Sequence, residues 1–274
     1  MAYINQKAGF VLFRETLFEK AFTYLEKANT DPRLIIHLFP PFTNIDVSNI
    51  YLYFGVREVL LYLETVENIG TIPFVTGKHD ALVVNKLARN YDPFIKPSSA
   101  DAPATLELKR VLIHNSRDVL RGYLFRFREK KGYASIADSK EIFKWVDLVL
   151  LQLVLEMSRD EGKQTLYDLI DSGVDCFEEA ERLLIDNGRY YVLSRLYQSR
   201  AMTEKVLETW AKMIDGSWPE EDFKNGEERM RDYLIKLRDA DLVFRFAMWL
   251  TRRNPEAGVQ VVYHYFELMA GSCQ

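Results

Sequence analysis

The residues best placed to do chemistry are Gly77 and Lys78, inside the stretch GTIPFVTGKH at residues 70–79. A Gly-Lys pair can cradle a phosphate, but such a loop needs a glycine five residues before Gly77 and a hydroxyl residue after the lysine. Ile72 and His79 stand there instead, and no hydrophobic strand precedes them. The stretch therefore reads as a plain loop. The four histidines, His37, His79, His114 and His264, are scattered singly. None lies at ligand spacing from a cysteine or a second histidine, so no metal site is expected. Cys176 and Cys273 cannot build a disulfide framework, which fits a reducing compartment. The carboxylates of Glu178–Glu181 fall on a helical, solvated face. No nucleophile, base and orienting group can be assembled, so the chain is read as a non-enzyme with no catalytic residues and no cofactor.

The elements behind these residues are helical, and residues 175–215 organise the chain. They predict three short amphipathic helices with turns of a few residues. Asp175 and Glu178 have capping-box spacing for the first, whose apolar stripe is Ala180, Leu183 and Leu184. Gly188 supplies the positive φ that ends it. The second helix buries Val192, Leu193, Leu196 and Tyr197; the third, opening near Thr203, buries Val206, Leu207, Trp210 and Ile214. Each has one narrow apolar face and must stack on its neighbours, which is the logic of an α-solenoid. A second copy of the pattern places Ala21, Leu25, Asn29, Leu34, Leu38 and Phe39 in nearly the frame of Ala180, Leu184, Gly188, Leu193, Leu196 and Tyr197. Asn29 stands where Gly188 stands, and both types tolerate a left-handed cap.

Taken in order, residues 1–12 form a short apolar lead-in. Helices are expected over 15–28, from Pro32 to before Pro40-Pro41, over 50–66 and over 79–90. Residues 92–103 are expected to be a mobile loop. Helices follow over 104–131, 138–157, 162–172, 223–238, 241–253 and 256–270. The helix at 138–157 is apolar around most of its circumference and should be central. DGSWPEED, at 215–222, reads as a loop. No segment shows two-residue alternation, so the fold class is all-α: stacked helical hairpins of the clathrin-heavy-chain or TPR-like kind, as one segment over 1–274.

With 48% hydrophobic residues the chain is an ordered globular one. A net charge of -4 argues against nucleic acid as a partner. No run of about 18 apolar residues and no secretory leader occur, so a cytoplasmic chain without a transmembrane segment is expected. Charge is uneven: residues 104–131 hold eight basic and three acidic side chains, whereas 160–186 hold nine acidic and two basic. Arg121, Arg126, Arg128, Lys130 and Lys131 could meet an acidic partner or anionic lipid. The favoured reading is that the basic and acidic stretches complement each other within the fold.

KAFTYLEKANTDPRLIIHLFP (20–40), FEEAERLLIDNGRYYVLSRLYQSRAMTEKVLETW (177–210) and LVFRFAMWLTRRNPEAGVQVV (242–262) resemble the middle region of vacuolar-sorting tether subunits. This is the family of the TGF-beta-receptor-associated protein and its counterparts in the CORVET and HOPS complexes. The ending RDYLIKLRDADLVFRFAMWLTRRNPEAGVQV favours the CORVET-type subunit over the HOPS-type one. The resemblance implies an excised middle segment of a longer protein, acting in docking and fusion at endosome and vacuole membranes. Its partners would be other tether subunits, with peripheral membrane association only through the complex. A Rab GTPase would be met through an N-terminal β-propeller that nothing in this chain resembles. The alternative is a helical-repeat adaptor for a receptor tail or other peptide. A concave groove lined by exposed aromatics would favour the adaptor, and a smooth charged surface the scaffold arm.

The last helix, 256–270, has two apolar stripes and no polar face. Val259, Val262, Tyr263 and Phe266 form one; Val261, Tyr265, Leu268 and Met269 form the other. One should pack back on residues 242–249. The second, taken as the set with Val261 and Tyr265, would await the next repeat or a partner.

Overall fold

The computed structural model describes residues 1–14, 16–39, 106–133, 136 and 138–271, with only the backbone of 14, 106–113 and 268–271. Among these residues there are twelve α-helices and no strand. The helices expected at 50–66 and 79–90, the loop at 92–103 and the Gly77-Lys78 stretch lie outside the described residues. The chain divides into two compact units, Met1–Glu156 and Met157–Gln274.

The first unit contains α1 (Ala2–Arg14), α2 (Phe18–Lys27), α3 (Pro32–Ile36), α4 (Leu106–Arg128) and α5 (Ser139–Leu155). The lead-in expected at 1–12 is thus a helix. Gly9 lets α1 lie close against α2, because a Cβ there would stand 2.6 Å from Leu25 Cγ and 3.1 Å from the Ala21 carbonyl oxygen. Phe13 then meets Phe18 edge-on at 5.3 Å and Phe39 at 5.8 Å, while Phe22 meets Tyr123 of α4 at 5.3 Å. These aromatic rings exclude water, and burial pushes the Tyr123 hydroxyl well above its ordinary pKa. That hydroxyl donates to the Thr30 carbonyl at 3.3 Å. Helix α5 is as central as its composition requires: Phe143, Val146, Val149, Leu150 and Leu151 are all buried.

The second unit contains α6 (Arg159–Asp171), α7 (Phe177–Asp186), α8 (Tyr190–Ser199), α9 (Thr203–Ile214), α10 (Gly226–Leu234), α11 (Ala240–Arg253) and α12 (Pro255–Gly271). Helix α8 packs on α6, α7 and α9; α10 packs on α9, α11 and α12, and α11 on α12. Of the stripe expected on α7, Ala180 and Leu184 are buried and Leu183 is half-buried, and the four residues expected to be buried on α8 are so. On α9, Met213 is buried with Val206, Leu207 and Trp210, while Ile214 is only half-buried.

A repeated connector joins the helices. Asn29 and Gly188 both take positive φ, 49° and 62°. In each case the amide one residue later reaches the carbonyl five back (Thr30 to Leu25, Arg189 to Leu184). The amide of the left-handed residue itself reaches three back. Thr16 and Ala201 repeat this Schellman pattern at φ 62° and 54°, although neither is Gly or Asn. After Thr16, Gly188 and Ala201 the next residue (Leu17, Arg189, Met202) has ψ between 59° and 64° and opens the following helix without a side-chain cap. Cys176 enters α7 with similar torsions, φ -97° and ψ 55°, so the capping box expected from Asp175 and Glu178 does not form. Packing fixes that entry instead: Val174 and Cys176 are buried, and Arg200 Nη2 donates to the Val174 carbonyl at 2.7 Å.

Candidate functional site

The basic helix α4 is largely engaged by acids of its own unit. Arg128 Nε donates to Asp147 Oδ1 at 2.6 Å, and Lys131 Nζ to Asp147 Oδ2 at 3.2 Å, with the Asp147 side chain fully buried. Arg126 meets Glu26 at 3.3 Å, Arg121 meets Asp118 at 2.9 Å, and Arg117 meets Glu156 at 2.9 Å. Lys130 lies over the Phe127 ring, 5.4 Å from its centroid. The acids met in these pairs, Glu26, Asp118, Asp147 and Glu156, all belong to the first unit. Within that acidic stretch, Glu181 accepts from Lys205 at 2.8 Å and from the Tyr197 hydroxyl at 2.6 Å. These two donors hold its carboxyl below the usual carboxylate range, Lys205 most of all.

Residues 217–223, legible only as a loop, cross the second unit as a strap. Glu220 accepts from Arg159 Nη1 at 3.4 Å and from the Tyr191 amide at 3.2 Å. Asp222 pairs with Lys163 and accepts from the Tyr167 hydroxyl at 3.4 Å. Burial, then the charge of Asp222, pushes that phenol up to about 12. Trp218 stacks on Tyr190 at 4.5 Å with planes 14° apart, and Lys212 covers its ring. Phe223 fits between Tyr191 and Trp210, which displaces the start of α10 from the expected 223 to Gly226. Hydrogen bonds and ion pairs over 29 to 61 residues of sequence separation carry no local signal, which is why the strap is not legible in the sequence.

Among the described residues, helices α11 and α12 carry five exposed large apolar side chains, Phe244, Met248, Val259, Tyr263 and Phe266. Asp239 caps α11 by accepting from the Leu242 amide at 3.1 Å, and Asn254 caps α12 by accepting from the Ala257 amide at 3.1 Å. Gly258 allows the two helices to touch, since a Cβ there would stand 2.6 Å from the Thr251 backbone. This close approach turns Val261 inward, fully buried with Ala257. Val261 is therefore a core residue and not part of an exposed stripe. Tyr265 is half-buried, and the side chains of Leu268 and Met269 lie outside the described residues. The stripe facing solvent on α12 is the other one: Val259, Tyr263 and Phe266 are 59%, 65% and 64% exposed. On α11, Phe244 and Met248 are also exposed. They line a groove of about 830 Å³ with Asp241, Arg245, Trp249, Arg252 and Tyr265.

Among the described residues no three His, Cys, Asp or Glu side chains converge to hold a metal ion. No helix among them is long and apolar enough to cross a membrane.

Residues 146–251 match the family model described as vacuolar sorting protein 39 domain 1. Vacuolar protein sorting-associated protein 3 of Schizosaccharomyces pombe is 24% identical over 95% of this chain and 27% of its own length. The transforming growth factor-beta receptor-associated protein 1 homolog of Danio rerio is 29% identical over 94% of this chain and 24% of its own. The Vam6/Vps39-like protein of Homo sapiens is 23% identical over 94% and 26%. The chain thus spans about a quarter of the length of these curated relatives. No solved structure matches it at a significant level. The chain, all-α among its described residues, is thus similar along nearly its whole length to Vps3, to the TGF-beta receptor-associated protein 1 homolog and to the Vam6/Vps39-like protein.

Proposed function

We propose that this chain is a non-catalytic scaffold segment of a membrane-tethering complex, acting where vesicles dock and fuse at endosome and vacuole membranes. The observation that carries this reading is the match to vacuolar-sorting relatives over 94–95% of the chain. Helices packed on near neighbours in sequence suit a rigid element that transmits position rather than a reaction. Its partners are other subunits of a CORVET-type complex, with the HOPS-type complex as the competing assignment. The segment reaches endosome and vacuole membranes from the cytoplasm, peripherally, through the assembly. A Rab GTPase is met by other parts of the full-length protein. Immobilised chain presented with separately purified CORVET and HOPS subunits should retain a subunit of the CORVET type. Retention of HOPS-specific subunits alone would reassign the complex, and retention of none would remove the reading.

The aromatic groove along α11 favours a second reading, an adaptor for a receptor tail or other peptide. One relative is by name receptor-associated. Under that reading, peptides from receptor cytoplasmic tails bind saturably and quench Trp249; under the scaffold reading they do not.

A further inference from the structure

The strap over residues 217–223 is held as a bound peptide is held. Among the described residues its backbone reaches the helices only at its head, where the Trp218 amide donates to the Lys212 carbonyl at 3.1 Å. The Phe223 amide turns back on the strap's own Glu220 carbonyl at 3.3 Å, and the amides of 220–222 donate to no backbone group. The rest of its hold is side chain: an aromatic ring at each end, Trp218 and Phe223, and the Glu220 and Asp222 carboxylates between. Left-handed residues bound it on either side, Gly216 at φ 77° and Asn225 at φ 54°. Gly226 makes room for its end, since a Cβ there would stand 2.7 Å from the Phe223 ring.

The slot beneath accepts more negative charge than the strap supplies. Arg159, Lys163 and Tyr167 follow at four-residue steps and share one stripe of α6, and Arg189 stands beside them at the entry to α8. Arg159 and Lys163 take Glu220 and Asp222, while Glu221, the third strap carboxylate, is exposed. Arg189 makes no ion pair with either bound carboxylate. Its guanidinium is held below its ordinary value, first by burial and then by the charge of Arg159. Two of the strap's polar contacts are also long, at 3.4 Å from Arg159 to Glu220 and 3.4 Å from Tyr167 to Asp222. A cationic slot with an aromatic surface at each end, filled through side chains alone, has the chemistry of a peptide site.

We propose that this slot is a docking site for an extended acidic segment of a partner protein, and that the strap is its resident occupant. The strap's own spacing defines the ligand: an aromatic residue, acids two and four positions later, then a second aromatic. Strap and partner segment exclude each other, so the site is closed in the free chain and yields only to a competitor. The slot is distinct from the α11 groove, and it adds a regulated contact to the scaffold role.

The test is fluorescence anisotropy with a labelled peptide, SFPEEDF, which copies the strap without its tryptophan. Wild type is compared with a chain whose strap is released by combining Trp218→Ala, Glu220→Ala and Asp222→Ala, its fold checked by circular dichroism. The released chain should bind the peptide about tenfold tighter or more, because a strap open a tenth of the time or less weakens its competitor by that factor. Adding Lys163→Glu to the released chain should abolish binding, as should replacing the acids of the peptide by amides (SFPQQNF). Wild type alone gives a second measurement that needs no released chain. Excess unlabelled SFPEEDF should shift its tryptophan emission to the red as Trp218 leaves Tyr190 and Lys212, and Trp218→Phe should remove that shift. A released chain that binds no tighter than wild type overturns the proposal. So does equal binding of the amide peptide, or wild-type emission unchanged at millimolar peptide. Retention of tether subunits by the wild-type chain reports on the scaffold role separately.

Discussion

Asp147, at the centre of the apolar helix α5, accepts from Arg128 Nε at 2.6 Å. Lys131 approaches its other oxygen at 3.2 Å. A carboxylate with no exposed surface is tolerable only with such partners. The pair fixes the register of α4 against α5. Arg128→Met should destabilise the chain by about 3 kcal/mol, because it strips a buried charge of a main partner. Adding Asp147→Leu to Arg128→Met should recover most of that loss. Denaturant titration checks both; a single variant within experimental error of wild type would deny the pair its role.

The left-handed caps give a prediction of opposite sign at two equivalent positions. Ala201 holds φ at 54° despite its Cβ, and Gly188 holds 62° with none. Ala201→Gly should raise the melting temperature, and Gly188→Ala should lower it, each by about 1 kcal/mol in stability.

Helix contact through glycine predicts a graded effect. A Cβ at Gly258 would press on the Thr251 backbone at 2.6 Å, whereas one at Gly9 meets the Leu25 side chain first and backbone only at 3.1 Å, the Ala21 carbonyl oxygen. Gly258→Ala should therefore cost more than Gly9→Ala, about 1–3 kcal/mol for the former. Thermal unfolding of the two variants side by side decides it, and equal losses would place the α11–α12 contact elsewhere.

The acid branch of the stability curve should carry the signature of Glu181. Its carboxyl is lowered in the folded state, first by the Lys205 hydrogen bond and then by that of Tyr197. Such a group stabilises the fold above its unfolded pKa of about 4.3 and loses that contribution as pH falls through the folded value. The gap in melting temperature between wild type and Glu181→Gln should be widest near neutral pH and should close below the carboxylate range. A gap that widens on acidification contradicts the assignment.

Helix existence was legible because Leu184, Leu193, Leu196 and Trp210 recur at helical spacing, and the burial of these residues follows directly. The resemblance to vacuolar-sorting proteins was legible in the same packing motifs. Connectors were legible only where the residue type advertises them: Gly188 and Asn29 were, Thr16 and Ala201 were not. Helix α1 was hidden because its short apolar run gives no cap or stop signal. The acids that meet α4 and the strap built on Glu220 and Asp222 depend on long-range pairing, which periodicity does not encode. On α12, both stripes were visible in the sequence. Which one faces the core was decided by the close approach at Gly258, a tertiary fact.

The central claim, that this chain is a scaffold segment of a docking machine, is tested most directly by competition. Vesicle docking driven by a reconstituted CORVET-type complex should be measured with increasing amounts of the free chain added before assembly. Docking should fall in a dose-dependent way, as the free segment occupies subunit contacts without bridging membranes. Docking unchanged at chain concentrations that saturate the captured subunit would contradict it.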